Sequence, residues 1–482
     1  MTDQSPETAA DSPDTFDVVV VGAGPAGENA AARAVRGGLT AALVEHELVG
    51  GECSYWACMP SKALLRDPEA LAAARRLPGA AAAATGELDV AAVLARRDSF
   101  ASDWKDDGQV SWAEGAGISV VRGKGALEGE RTVRVEGAEG TRTLHARHAV
   151  VLATGSTAVV PPVPGLREAS PWTSREGTSA KEVPPTLAVI GGGVVACELA
   201  TAWNALGSQV TMLVRDETLL GRYEPFAGEL VLRGLREAGV DVRLGVNVTS
   251  AARDGDGPTT LQLDAGEPVT AAAVLVATGR RARRYDVGVE TVGLDPEAPL
   301  QVDDTLRVTG FDWLYAVGDV NGRNLLTHMG KYQARAAGDA IAARARGTQV
   351  DGSPWAATSA TADAVAVPGV VFTDPEVASV GLTAAEAQSR GLDVRVVDYE
   401  IGNVAGASLL ADGYTGTARA VVDEQRKVLV GVTFVGPGVG DLLHAATIAV
   451  VGEVPLERLW HAVPSYPTVS EIWLRLLEAY GL

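Results

Sequence analysis

A glycine-rich turn between a buried strand and a helix occurs twice in this chain of 482 residues, about 170 residues apart. The first copy runs Phe16-Asp17-Val18-Val19-Val20-Val21, then Gly22-Ala23-Gly24-Pro25-Ala26-Gly27, then an alanine-rich helix to about Gly37. A second strand, Thr40-Ala41-Ala42-Leu43-Val44, is closed by Glu45. An unbroken apolar run of this length reads as a strand covered on both faces. Gly22 permits the tight turn, Gly24 lets the backbone approach a pyrophosphate, and Gly27 lets helix and strand pack closely. Pro25 and Ala26 complete the turn into the helix, whose N-terminal N–H groups and partial positive charge favour phosphate. Glu45 stands where a carboxylate accepts hydrogen bonds from ribose hydroxyls. The second copy is Leu187-Ala188-Val189-Ile190, then Gly191-Gly192-Gly193-Val194-Val195-Ala196, a helix, and Gln209 to Val214. No acid ends that strand. Val214 takes its place, Arg215 follows, and Arg222 is close behind. A guanidinium pairs with a 2′-phosphate that a carboxylate would repel, which favours NADPH over NADH. Asp216 and Glu217 temper that preference.

The pattern predicts an α/β protein with two Rossmann-like dinucleotide-binding domains plus a C-terminal α+β domain suited to dimerisation. Residues 66–110 are periodic at helical spacing and broken at Leu77-Pro78-Gly79, and short alternating runs from Gly117 to Val151 read as antiparallel strands. The stretch Val160-Pro161-Pro162-Val163-Pro164-Gly165 reads as a linker. From about Val365 come short strands at 369–372, 418–422 and 428–432, then apolar helices at 440–452 and 469–480, with no nucleotide fingerprint. The expected boundaries are a disordered leader over 1–14 and a first nucleotide domain over 15–160, resumed at 286–362. A second nucleotide domain spans 161–285 and the dimerisation domain 363–482.

Composition excludes several classes of function. No run of eighteen or more uncharged apolar residues is present, so no membrane helix is expected. The formal charge of −20 argues against nucleic acid or an anionic membrane as partner. The first fifteen residues are acidic and polar, unlike a signal peptide. Three cysteines exclude a disulfide framework and suit a reducing cytoplasm; no metal site is expected.

Two of those cysteines, Cys53 and Cys58, fall in Gly50-Gly51-Glu52-Cys53-Ser54-Tyr55-Trp56-Ala57-Cys58-Met59-Pro60-Ser61-Lys62, thirty residues after the first fingerprint. Two thiols that close store two electrons as a disulfide, the amount a flavin or nicotinamide carries. Lys62, near a helix start, would lower the Cys58 pKa and favour the reactive thiolate. Cys197, inside the second fingerprint helix, reads as a core residue.

The chain resembles the flavoprotein pyridine nucleotide-disulfide oxidoreductases: glutathione reductase, lipoamide dehydrogenase, mercuric reductase and soluble transhydrogenase. The resemblance runs from Phe16 to Ile472 and rests on GGECSYWACMPSK (50–62), VVLATGS (150–156), VIGGGVVACELA (189–200), VLVATGRRAR (274–283), LYAVGDV (314–320), VVFTDPEVASVGLT (370–383) and YPTVSE (466–471). It implies FAD in the first site, held by the first fingerprint with Gly51, Thr154, Gly155, Gly318 and Asp319, the last on the ribitol. The helix after Leu326-Thr327-His328 would face the flavin pyrimidine edge. NAD(P)H would occupy the second site, held by Gly191, Gly193, Val194, Val195, Arg215, Arg222 and Gly279. By the same resemblance Cys58 is the sulfur beside the flavin and Cys53 the interchange sulfur. Lys62 lies near the flavin and pairs with Glu198.

The departure is at the C-terminus. The family carries H-P-T-x-x-E, and this chain has Tyr466-Pro467-Thr468-Val469-Ser470-Glu471. A phenol of pKa about 10 is a poor base near neutrality where imidazole, about 6.5, is a good one. His461 is the alternative acid/base. Mercury reduction is disfavoured because no cysteine follows Cys197. The resemblance thus implies a cytoplasmic homodimer that passes electrons from NADPH through FAD to Cys53–Cys58 and on to a small disulfide-like acceptor, at a pocket formed with Tyr466 and Glu471 of the other subunit. Quinone reduction or NADPH/NAD transhydrogenation at the flavin is the alternative, and a non-catalytic redox sensor is a further one.

Overall fold

The computed structural model describes residues 13–482. The disorder expected over 1–14 falls, for residues 1–12, outside the described residues. Pro13 and Asp14 form a turn, where the Asp14 carbonyl accepts from His145 N at 2.9 Å and its carboxylate from Arg142 Nε at 3.1 Å.

The chain divides into two compact units. One takes the chain up to Cys53, Lys105–Thr157 and Ala282–Thr361; the other takes Ser54–Trp104, Ala158–Arg281 and Ala362–Leu482. The first unit is built on a mostly parallel sheet. Thr15–Val21 lies at its centre, flanked by Ala41–Glu45 and Ile118–Arg122 on one side and by Gly140–Leu152 and Leu314–Ala316 on the other. Val18, Val19 and Val20 are fully buried, which is why the strand reads as a continuous apolar run instead of an alternating one. The helices Pro25–Arg36 and Thr327–Ala345 pack closely through small residues: a Cβ on Gly338 would fall 2.5 Å from Arg33 Cβ.

The antiparallel reading of 117–151 is only partly right. Ile118–Arg122 is a parallel edge strand, Val121 lying opposite Val44. Gly140–Leu152 is one long strand, antiparallel to Thr132–Gly137 in its first half and parallel to Thr15–Val21 in its second. Alternation has period two whichever way the neighbour runs, so it carries no information on strand direction.

In the second unit the parallel sheet has the order Asp241–Leu244, Gln209–Val214, Thr186–Ile190, Ala273–Val276. A three-stranded antiparallel sheet, Val248–Arg253, Thr259–Leu263 and Val269–Ala271, accompanies it. The proline-rich stretch is packed and not a free linker. Pro164 O accepts from Ala251 N at 2.9 Å, Val160 and Val163 lie against the apolar core, and Leu166 is fully buried. The C-terminal portion is a five-stranded antiparallel sheet in the order Pro368–Val371, Glu376–Gly381, Val428–Gly436, Thr417–Asp423, Val394–Glu400. The helices Leu443–Val451 and Ile472–Tyr480 share its core. Both start three residues later than their apolar pattern, because a single 3₁₀ turn (Val439–Leu442 and Val469–Glu471) precedes each. Among the described residues no helix is long and apolar enough to cross a membrane, and no cluster of His, Cys, Asp and Glu could hold a metal ion.

Candidate active site

Two bare glycine cradles repeat the same construction. Gly22 has φ 101° and Gly191 has φ 131°, a region open to glycine without steric cost. A Cβ on Gly22 would lie 2.5 Å from Ala153 O, and one on Gly191 would lie 2.4 Å from Ala277 O. In each case an Ala-Thr-Gly segment, Ala153-Thr154-Gly155 or Ala277-Thr278-Gly279, abuts the turn. Gly24 and Gly193 are the N-caps of their helices, neither helix has a side-chain cap, and a Cβ on either glycine would meet nothing within 4 Å. A concave turn at an uncapped helix N-terminus fits the pyrophosphate of a dinucleotide.

Around the first cradle the structure gathers several of the expected residues. A Cβ on Gly27 would lie 1.9 Å from Gly22 O, one on Gly51 2.8 Å from Gly24 Cα, and one on Gly318 3.1 Å from Ala26 Cβ. Pro25 is the first residue of the helix. Thr154 Oγ1 donates to Arg283 O at 2.6 Å, and Ser156 Oγ donates to Asp319 Oδ2 at 2.5 Å. Gly318 N donates to the fully buried Gln333 at 2.7 Å, which locks the turn carrying Asp319. Leu326 caps the helix beginning at Thr327, with His328 exposed in its first turn. Glu45 is buried. Its Oε2 accepts from Ala23 N at 2.9 Å and its Oε1 from His46 N and Glu47 N at 2.9 and 2.8 Å. Burial alone would raise its pKa, but His46 and these N–H groups outweigh burial and hold it below the usual carboxylate range.

Glu28, in the first turn of the same helix, was not expected. Its Oε1 is buried with no hydrogen-bond partner, and burial pushes its pKa up to about 7 against the pull of Lys331. A carboxylate at a helix N-terminus normally gains only about 0.3–1 kcal/mol from the dipole, so desolvation wins. The folded pKa lies above the unfolded one, so the native state binds the proton more tightly. Stability therefore falls as pH rises from about 4.5 to about 7, and the full penalty applies above that window. Glu28→Gln is expected to stabilise the protein by up to about 3 kcal/mol at pH 8 and by almost nothing at pH 4, read from urea melts at both values. Equal gains at both pH values would contradict this.

In the second unit the redox segment is tied to the nucleotide fold. Lys62, on the helix Cys58–Arg75, places Nζ 2.6 Å from Glu198 Oε2, and Glu198 is 4% exposed on the helix Val194–Ala205. The other Glu198 oxygen accepts from Phe372 N at 3.0 Å, and Lys62 Nζ sits 4.9 Å from the Phe372 ring centroid. Phe372 thus holds the pair through both its backbone N–H and its ring, a role not assigned from the sequence. Val194 and Val195 begin the Glu198 helix and are half-buried. Arg215 and Arg222 are exposed, with Arg215 Nε 3.2 Å from Asp216 Oδ1. Gly279 is exposed beside its cradle.

Cys53 lies in the short helix Gly51–Tyr55 and Cys58 opens the helix Cys58–Arg75; both are half-buried. Cys197 is buried and its thiol is pushed up to about 12 by burial, then by Glu198, so it is a poor nucleophile. At the C-terminus Tyr466 is 77% exposed, and His461 is exposed. Glu471 is buried, its Oε1 accepts from Arg475 at 2.6 Å, and its Oε2 is buried with no partner. Among the described residues no hydrogen bond joins Tyr466 to Glu471.

Comparison with known proteins agrees with this geometry. Residues 16–343 match the family model for pyridine nucleotide-disulphide oxidoreductases, and residues 367–476 match the dimerisation domain of the same family. The chain is 31% identical over 461 residues to a mercuric reductase of Staphylococcus aureus, covering 95% of this chain and 81% of that protein. It is 30% identical over 465 residues to a dihydrolipoyl dehydrogenase of Chlamydia muridarum, covering 95% and 96%. The fold matches the HOCl-induced flavoprotein disulfide reductase RclA from Escherichia coli with TM-score 0.81 at 23% identity, over 96% of this chain and 99% of that one. A fold shared across nearly the whole length, two dinucleotide cradles and the family match over both segments lead to one conclusion: the chain belongs to the pyridine nucleotide-disulphide oxidoreductases, flavin-dependent enzymes that use pyridine nucleotides.

Proposed function

We propose that this enzyme oxidises NADPH and reduces a small disulfide or disulfide-like acceptor through a redox-active Cys53–Cys58 pair, as a cytoplasmic homodimer assembled through residues 363–482. Residues 15–160 and 286–362 would hold FAD through the first cradle, Glu45, Gly51, Thr154, Gly155, Asp319 and the Leu326-Thr327-His328 helix start. Residues 161–285 would hold NADPH through the second cradle, Gly279, Arg215 and Arg222. Bound FAD supplies the two-electron relay between nicotinamide and thiol chemistry.

The observation that carries this reading is the Lys62–Glu198 pair. It joins the helix that starts at Cys58 to the helix that starts at the second cradle, so the thiol segment and the nucleotide site share one rigid connection. Lys62 supplies positive charge on the helix that Cys58 opens, which favours the thiolate over the thiol. Glu198, fixed by Phe372 N, holds the ammonium in place. Steady-state turnover of NADPH against a panel of small disulfides tests the reading, with Cys58→Ser as the control. Disulfide-dependent turnover lost in that variant supports it, and turnover unaffected by the substitution contradicts it.

The C-terminal geometry favours a second reading on one point. Glu471 is engaged by Arg475, Tyr466 is exposed, and no imidazole sits at the expected position to protonate a leaving thiolate. An acceptor that needs no such proton at that site, a quinone or NAD⁺, suits Tyr466 better. For the nucleotide, Arg215→Ala is expected to raise the KM for NADPH about tenfold, the loss of one charge-assisted contact, with that for NADH unchanged. Equal effects on both would refute the 2′-phosphate role.

A further inference from the structure

The four residues between the thiols, Ser54-Tyr55-Trp56-Ala57, are held from two directions by side chains with no counterpart in the chemistry described above. On one side the short helix Ser174–Ser179 presents Arg175 and Thr178, three residues apart and on one face. The Arg175 guanidinium lies 4.0 Å from the Trp56 ring centroid, and Thr178 Oγ1 is 3.0 Å from Trp56 O. That hydroxyl also faces Ser174 O and Arg175 O at 2.9 and 3.2 Å, so its single proton is shared between the linker and its own helix.

On the other side Trp104 Nε1 donates to Tyr55 O at 3.2 Å. The Trp104 ring is faced by Lys181 Nζ at 3.8 Å and by the fully buried Arg97 at 5.5 Å. Arg97 in turn donates to Thr178 O and Ala180 O at 2.6 and 2.8 Å, joining the two sides. Trp104 reaches this position through an unfavourable backbone. Ser102, Asp103 and Trp104 have φ of 50°, 51° and 54°, three successive non-glycine residues in the left-handed region, each at a cost of order 1–2 kcal/mol. The helix Ser174–Ser179 is itself immobilised, by a Thr173/Glu176 capping box and by Trp203 Nε1 donating to Gly177 O at 2.9 Å. Arg280, next to Gly279 of the second cradle, donates to Ser174 Oγ at 3.2 Å.

We propose that Arg175, with Trp56, Thr178 and Trp104, forms a clamp on the linker that sets the equilibrium between the Cys53–Cys58 disulfide and its dithiol. The proposal rests on the dithiol reading of the previous section. Disulfide closure forms one S–S bond as two thiols lose two protons and two electrons, and its equilibrium depends on how often the free thiols meet. A held linker limits how far apart they can move. A freed linker gains conformational freedom mainly in the open dithiol, since the closed ring already restricts it, so loss of the clamp favours reduction. Arg175 is a positioning residue that acts through Trp56.

The test uses the full chain equilibrated anaerobically with reduced and oxidised dithiothreitol. In that exchange the protein disulfide takes two hydrogens from one dithiothreitol and leaves it as its cyclic disulfide. Rapid alkylation and intact mass then count the thiols, with buried Cys197 as an invariant third. Arg175→Ala is expected to shift the dithiol/disulfide midpoint about tenfold toward the dithiol, a rise in potential of about 30 mV for two electrons. Thr178→Val should shift it less and Arg175→Lys, which keeps the cation, should restore most of the wild-type value. Arg175→Ala and Thr178→Val titrating with the wild-type midpoint, in a wild type that does form the disulfide, would overturn the clamp alone. A wild type that never forms a Cys53–Cys58 disulfide would overturn the dithiol reading and the clamp with it.

Discussion

Cys53→Ser is expected to abolish disulfide reduction, lowering kcat by at least about a thousandfold, because the interchange step is covalent and Cys58 alone, on the flavin side, cannot close a disulfide with a serine. Cys197 is buried with its thiol pushed up to about 12, so it offers no thiolate near neutrality. NADPH-dependent reduction of a quinone should survive the same substitution within about twofold, since it needs no interchange sulfur. Parallel assays with a small disulfide and a quinone separate the outcomes. If both activities fall together, Cys53 supports the structure and not the interchange chemistry.

The second large effect is expected at Glu198. Removing its carboxylate in Glu198→Ala strips the Phe372 N–H of its acceptor and leaves Lys62 without its counter-charge. Breaking a fully buried pair costs about 3–5 kcal/mol, but the Lys62 side chain is 36% exposed and regains some hydration, so about 2–3 kcal/mol is expected. Glu198→Gln retains an acceptor for Phe372 N and should lose about half as much. The paired change Lys62→Met with Glu198→Leu should recover most of the stability and none of the thiol reactivity. Urea melts together with the pH dependence of thiol alkylation distinguish these cases. A double variant that is both stable and fully reactive would remove Lys62 from the mechanism.

The elements legible in the sequence were those with a local cause. The cradles at Gly22–Gly27 and Gly191–Ala196 were readable because only glycine fits the turn, and the Lys62–Glu198 pairing was carried by the family resemblance. The direction of Ile118–Arg122 was not readable, since alternation is the same for parallel and antiparallel neighbours. The packing of the proline-rich stretch was hidden because its polar contacts come from a distant strand through Ala251 N. Nothing local separates Glu28 from an ordinary acid in a first helical turn; its burial does. The linker clamp was invisible for a similar reason. Trp104, Arg97 and Arg175, which hold the linker, lie up to 119 residues from Trp56 in the chain.

The central claim, a working dithiol fed by NADPH, is tested most directly by anaerobic titration of the purified holoenzyme with NADPH while its visible spectrum is recorded. A long-wavelength absorbance band that develops at two electrons and disappears in Cys58→Ser is the predicted result. Bleaching of the flavin from the first equivalent, with no such band and with identical titrations of wild type and Cys58→Ser, would contradict it.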